Sequence, residues 1–151
     1  MHLYINMFSL KKIFTTSFSD YLFLVEAIIT SGIIRFIILF IPMRKFASFL
    51  GEQDKSSPTD NIAAHASKIE KIRLAVARTS RVTPWRCMCY EQAFTAKILL
   101  QRRNIPSTLY FGVRKNSSEN KIDAHAWLRT GNRIITGKKN MHTFKEIARF
   151  S

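Results

Sequence analysis

Acidic residues are scarce in this chain: ten Asp and Glu stand against 24 Lys and Arg, a formal net charge of +14. Residues 1–50 carry +3 of that charge and residues 51–151 carry +11. Such a surface attracts polyanions, anionic lipid or an acidic peptide. The basic pairs (Lys11-Lys12, Arg44-Lys45, Arg102-Arg103, Arg114-Lys115, Lys138-Lys139) are short and lie at the ends of expected elements, so a solvated surface is their default reading. Cysteine is scarcer still. Cys87 and Cys89 are the whole complement, one residue apart, which excludes a disulfide framework and suits a reducing cytoplasm. No signal peptide is expected, because the apolar candidate is long, lies late and lacks a small-x-small cleavage site. Repeats and low-complexity segments are absent. A chain of 151 residues reads as one domain with an N-terminal appendage, long enough to bury a core.

Long hydrophobic runs are limited to one, Tyr21–Ile41. Its length could just span a bilayer, but Glu26 and Arg35 oppose that, each costing about 2.5–3.5 kcal/mol at mid-membrane. A helix buried against the domain or a partner is the leading expectation, ahead of a membrane-surface helix and a true span. Pro42 ends the run, and Arg44-Lys45 follow as a surface anchor would. The expected organisation is an apolar helical region at 1–51, a polar linker at 52–61 and the main domain at 62–151.

Asp60 or Thr59 can cap a helix reaching to about Arg78, with Ile62, Ala66, Ile69, Ile72 and Val76 on its apolar face. A second helix runs from Tyr90 to Arg103, with Ala93, Ala96 and Leu100 on one face and Lys97 and Gln101 off it. Arg102-Arg103-Asn104-Ile105-Pro106 stops it. Alternation predicts strands over Ser107–Arg114 and Asp123–Thr130, then a Gly131-Asn132 turn into Arg133–Thr136. A short helix or strand from Phe144 closes the chain. Helices followed by an antiparallel meander make an α+β domain.

Cys89 falls at the start of the second helix. A thiol there faces unpaired backbone N–H groups and the positive end of the helix dipole, which favour the thiolate. Downstream, His125 lies on a strand between Ala124 and Ala126, and Trp127 shares its face and could wall a cleft with Trp85. A helix-start cysteine followed by a strand histidine is the layout of a papain- or transglutaminase-type thiol enzyme, which needs a thiolate, an imidazole and a third group to orient the ring.

Three ordered motifs carry a resemblance: Pro84-Trp85-Arg86 with Cys89 and Ala93; Leu100 and Arg103 with Ile105–Leu109 and Gly112-Val113-Arg114; and Ala124-His125-Ala126-Trp127-Leu128-Arg129. Together they resemble the transglutaminase-like peptidase of lasso-peptide biosynthesis, the B protein in its stand-alone short form. The resemblance implies removal of the leader from a ribosomally made precursor peptide, with Cys89 as nucleophile, His125 as general base, no metal and no built-in cofactor; nucleotide dependence is left open. It also implies a cytoplasmic protein that meets a separate leader-recognition protein and a lasso cyclase. From the residues themselves, Tyr21–Phe49 offers a docking surface for that recognition protein, a peripheral membrane contact of the apolar run stays open, and no nucleic-acid partner is expected. Cys87 lies where that family varies and reads as a small loop residue. The family's third member is an aspartate about a dozen residues after the histidine. Gly137 stands at that place, leaving Asp123, Asn132 and Thr136 as nearby polar candidates, with Asn132 also explained by turn chemistry.

Three other readings compete. Cys87, Cys89, His125 and His142 supply metal-ligand types, but Cys-x-Cys does not match structural zinc spacings. The +11 of the C-terminal portion would suit a nucleic-acid module, though the strands lack aromatic-basic interleaving. A binding scaffold that holds the precursor without cutting it would keep the family and lose the chemistry.

Overall fold

The structure is a computed structural model that describes residues 17–42, 45–46, 48–59, 62–116 and 121–151. The expectations placed on residues 1–16, Arg44, Asp60 and the 117–120 part of the polar loop lie outside the described residues. Helix α1 spans Phe18–Phe40, α2 Ala66–Val82 and α3 Cys89–Gln101. Strands β1 (Thr108–Asn116), β2 (Lys121–Thr130), β3 (Arg133–Thr136) and β4 (Lys145–Phe150) form one antiparallel sheet in the order β3-β2-β1-β4. The segment after Phe144 is thus a strand, on the free edge of β1. The fold is α+β, as the succession of helices and a meander predicts.

Helix α3 is the centre of the molecule. It packs on the sheet and is covered by α1 and α2. Its Phe94 is fully buried, with ring centroids of Phe46, Tyr90 and Phe111 at 5.3, 6.0 and 5.8 Å. Leu99, Leu100, Leu109, Ala126, Leu128, Ile69, Ile72 and Ile34 join the same core, which draws on every layer. Each of the Phe, Leu and Ile side chains contributes about 1.5–3 kcal/mol by leaving water. The helix ends as its sequence requires: Asn104 takes a left-handed φ of 52°, and the Ile105 N–H returns to the Leu100 carbonyl at 3.0 Å, ahead of Pro106.

Three expectations change. The helix expected from a cap at Thr59 or Asp60 to about Arg78 starts later, at Ala66 after a single turn at Ala63–His65, and runs on to Val82, so Ile62 lies ahead of it. Lys97, placed off the buried face by periodicity, is 2% exposed and donates to the Ser107 carbonyl at 2.6 Å. Helix α3 is covered on more than one side, so a single apolar face is not its boundary. The polar stretch expected as a linker is tied to the sheet over its described part. Glu52 and Ser151 exchange backbone bonds of 2.8 and 3.1 Å, the Asp54 N–H reaches the Arg149 carbonyl at 2.9 Å, and buried Ser57 donates its N–H to Thr108 Oγ1 at 2.7 Å. Arg129 of β2 secures the same stretch through the Ser57 carbonyl at 2.9 Å and also donates to the Tyr110 hydroxyl at 3.0 Å.

Candidate functional site

Cys89 is the first residue of α3 and is half-buried. The turn that delivers it is pinned from three directions. Trp85 Nε1 donates to Ser31 Oγ of α1 at 3.2 Å, with its ring over Gly32. Gln92 Nε2 donates to the Cys87 carbonyl at 3.0 Å. Glu91, 3% exposed, accepts the Met88 N–H at 3.0 Å through one carboxylate oxygen and Arg35 Nη1 of α1 at 2.9 Å through the other. Trp85 therefore serves as a clasp between this turn and α1. Cys87 is buried, and burial, with the nearby Glu91 charge, pushes its thiol up to about 11. It stays protonated at neutral pH and is a poor nucleophile.

His125 lies on β2 opposite Gly112 of β1. Ala126 and Leu128 enter the core, leaving His125, Trp127 and Arg129 as the alternate set. The imidazole packs 4.9 Å from the Phe144 ring and 6.0 Å from Trp127, which is buried and stacked on Tyr110 at 5.5 Å. A Cβ on Gly112 would stand 2.8 Å from Trp127 and 2.9 Å from Phe144, so a bare backbone there lets both rings close in.

The hydrogen-bond partner of the His125 ring is a backbone group, not a side chain. His125 Nε2 lies 2.8 Å from the Gly137 carbonyl oxygen. A carbonyl only accepts, so Nε2 carries the proton, and in the neutral ring Nδ1 is the free acceptor. Gly137 has φ +71°, and a Cβ there would lie 2.3 Å from the Ala126 carbonyl oxygen. Glycine at 137 is thus what brings that carbonyl against β2. The three side-chain candidates for the role do not touch the ring. Asp123 is paired with Arg114 at 2.8 Å, and that hydrogen bond holds its carboxyl below the usual range. Asn132 is exposed in the β2–β3 turn, at the opposite end of β2 from Asp123. Thr136 Oγ1 is buried without a partner.

Among the described residues no hydrogen bond joins Cys89 to His125, and no three His, Cys, Asp or Glu side chains converge as a metal-ligand set. Residues 37–149 match the model of a protein family described as the transglutaminase-like superfamily. The chain belongs to the transglutaminase-like superfamily. No curated protein and no solved structure matches it. The superfamily takes in cysteine peptidases and transferases. In this member the matched span starts inside α1 and carries both Cys89 and His125. Sequence reasoning missed Arg35, Glu91 and Gln92, which hold the cysteine turn, and the Gly137 carbonyl. One signal for Arg35 was present: a charge set within an apolar helix demands a partner elsewhere.

Proposed function

We propose that this protein is a cysteine peptidase that cleaves the leader from a ribosomally made lasso-peptide precursor. The observation that carries the reading is Cys89 at the start of α3, in a turn held by Arg35, Glu91 and Trp85, within motifs that resemble the short-form B protein. The chemistry follows from the residues. His125 Nδ1 takes the Cys89 proton, and the thiolate attacks the scissile carbonyl carbon, forming a C–S bond. The Cys89 N–H at the helix start donates to the oxyanion. The C–N bond breaks as the imidazolium returns its proton to the leaving amine, and water hydrolyses the thioester. The Gly137 carbonyl does for the ring what a carboxylate does elsewhere, fixing its tautomer, with less stabilisation of the imidazolium because it carries no full charge.

Cys89 and His125 would close to hydrogen-bond distance on binding substrate, as catalytic contacts that are loose in free enzymes commonly do. The proposed setting is the cytoplasm, with a separate leader-recognition protein delivering the precursor and a cyclase receiving the core peptide. The missing Cys89–His125 hydrogen bond favours one second reading, a scaffold that binds the precursor without cutting it. Cleavage of the cognate precursor by purified protein and its leader-binding partner separates the two. Loss of cleavage in Cys89→Ala, with activity kept in Cys87→Ala, is the expected result. Equal cleavage by Cys89→Ala and the parent protein would end the thiol mechanism, and no cleavage by either with precursor still bound would support the scaffold.

A further inference from the structure

Helix α1 has two unlike sides. Toward the protein it buries Ala27, Thr30, Ser31 and Ile34. Its charged side chains are engaged there as well: Asp20 with Lys71 of α2 at 3.2 Å, Glu26 with Arg103 at 2.6 Å and Arg102 at 3.1 Å, and Arg35 with Glu91 of α3. Outward it sets Phe18, Leu22, Ile29, Ile33, Phe36 and Phe40, each more than half exposed. At about 100° per residue these six fall within about 60° of arc and run about 33 Å along the helix. The apolar surface continues past the helix. Phe49, 74% exposed, lines a groove of about 620 Å³ with Ile37, Ile41, Phe46 and Ile98, and the polar residues of that lining are Lys45 and Gln101.

We propose that this face of α1 seats the protein on an anionic lipid bilayer, with the helix lying in the plane of the interface. Three features choose that occupant. The stripe is a convex ridge with no polar side chain along it, whereas a protein partner's interface brings hydrogen bonds and a polar rim. Acyl chains ask for neither. The net charge of +14 draws the chain to anionic headgroups, which a hydrophobic partner without charge would not require. Crossing the bilayer would pull Glu26 and Arg35 away from Arg102, Arg103 and Glu91, so the ion pairs hold α1 flat against its domain. The seat is independent of the chemistry at Cys89.

Flotation of the full-length protein with vesicles tests it, using phosphatidylcholine alone and with about one-third phosphatidylglycerol. Binding at least about tenfold stronger to the anionic vesicles is expected. The double variant Ile29→Gln/Ile33→Gln should lose about tenfold or more of that binding with an unchanged circular dichroism spectrum, because both side chains are already exposed. In Ile29→Trp the added fluorescence should shift to the blue and be quenched by lipids brominated near the headgroup. No flotation, equal binding by the double variant or equal binding to neutral vesicles would overturn the proposal. So would quenching confined to labels at the bilayer centre, which means a spanning helix, or a dimer in place of flotation that the double variant dissolves, which gives the stripe to a second copy.

Discussion

One helix, α1, holds both ends of α3, but in different ways. At the C-terminal end Glu26 is shared by Arg102 and Arg103, with the Arg102 side chain 59% exposed. Arg103 also lies over the Phe23 ring at 4.4 Å. Arg102 lies largely in water, and Glu26 and Arg103 each keep about one-quarter of their side chains exposed. At the N-terminal end Arg35 meets a Glu91 side chain that is 5% exposed and whose second oxygen takes the Met88 N–H. A carboxylate there has left water, and Arg35 and the helix-start amide are what compensate it. Cys89 sits at this second end. The two ends differ in the carboxylate: Glu91 is nearly out of water while Glu26 is about one-quarter exposed, so the turn carrying the thiol depends more on its cation.

If dependence on a buried partner belongs to the chemistry, the histidine side should share it, and the largest effect is expected there. Gly137→Ala places a Cβ against the Ala126 carbonyl at a left-handed φ, and should cost about 3 kcal/mol or more in urea denaturation while displacing the carbonyl from His125. Gly137→Asp, the residue at this place in the resembling family, should be no better tolerated. Arg35→Ala leaves Glu91 buried without its cation and should cost about 2–4 kcal/mol. In the same variant, alkylation of Cys89 by iodoacetamide should change, because the turn is released. Loss of Arg35 without either effect would erase the difference between the two ends.

Between the ends lies Lys97, which burial pushes down from 10.5 to about 8. The unfolded chain then holds this proton more tightly than the folded one between about pH 8 and 10.5, so stability from this group rises with pH across that window. Below about pH 8 the cost of the buried ammonium is fully present. Lys97→Met should therefore gain about 1–2 kcal/mol over the parent at pH 7, after losing the Ser107 hydrogen bond, with the gain shrinking by pH 10. Urea midpoints at the two pH values measure it. Glu26→Ala should cost only about 1 kcal/mol, the value expected of a partly exposed pair, and less in high salt. Trp85→Phe keeps the ring over Gly32 and removes the bond to Ser31, for about 0.5–1 kcal/mol. Equal losses for Glu26→Ala and Arg35→Ala would show that burial of Glu91 does not set the scale.

Much of the fold is legible along the chain because its signals are local. Apolar spacing places the three helices, alternation places β1 and β2, and Asn104 with Pro106 marks where α3 must stop. The site is legible to the same depth. Cys89 begins a helix and His125 stands on a strand for reasons written within a few residues of each. Its supports are not local. Arg35 and Glu91 are 56 residues apart, and inside the apolar run Arg35 reads as a penalty rather than a partner. Lys97 reads as a surface lysine until neighbouring layers are in place around α3.

The amino-acid sequence by itself determined most of the secondary elements and the α+β class, and it set Cys89 at a helix start and His125 on a strand, since these follow from periodicity and residue type. Tertiary structure alone decided which group hydrogen-bonds the His125 ring, which charge compensates Glu91 and which side of α1 is left bare. The physical reason is the same in all three. A backbone carbonyl at Gly137 has no residue-type signature, ion pairs between distant segments form only where folding brings them together, and a helix face is covered or exposed according to what packs beside it.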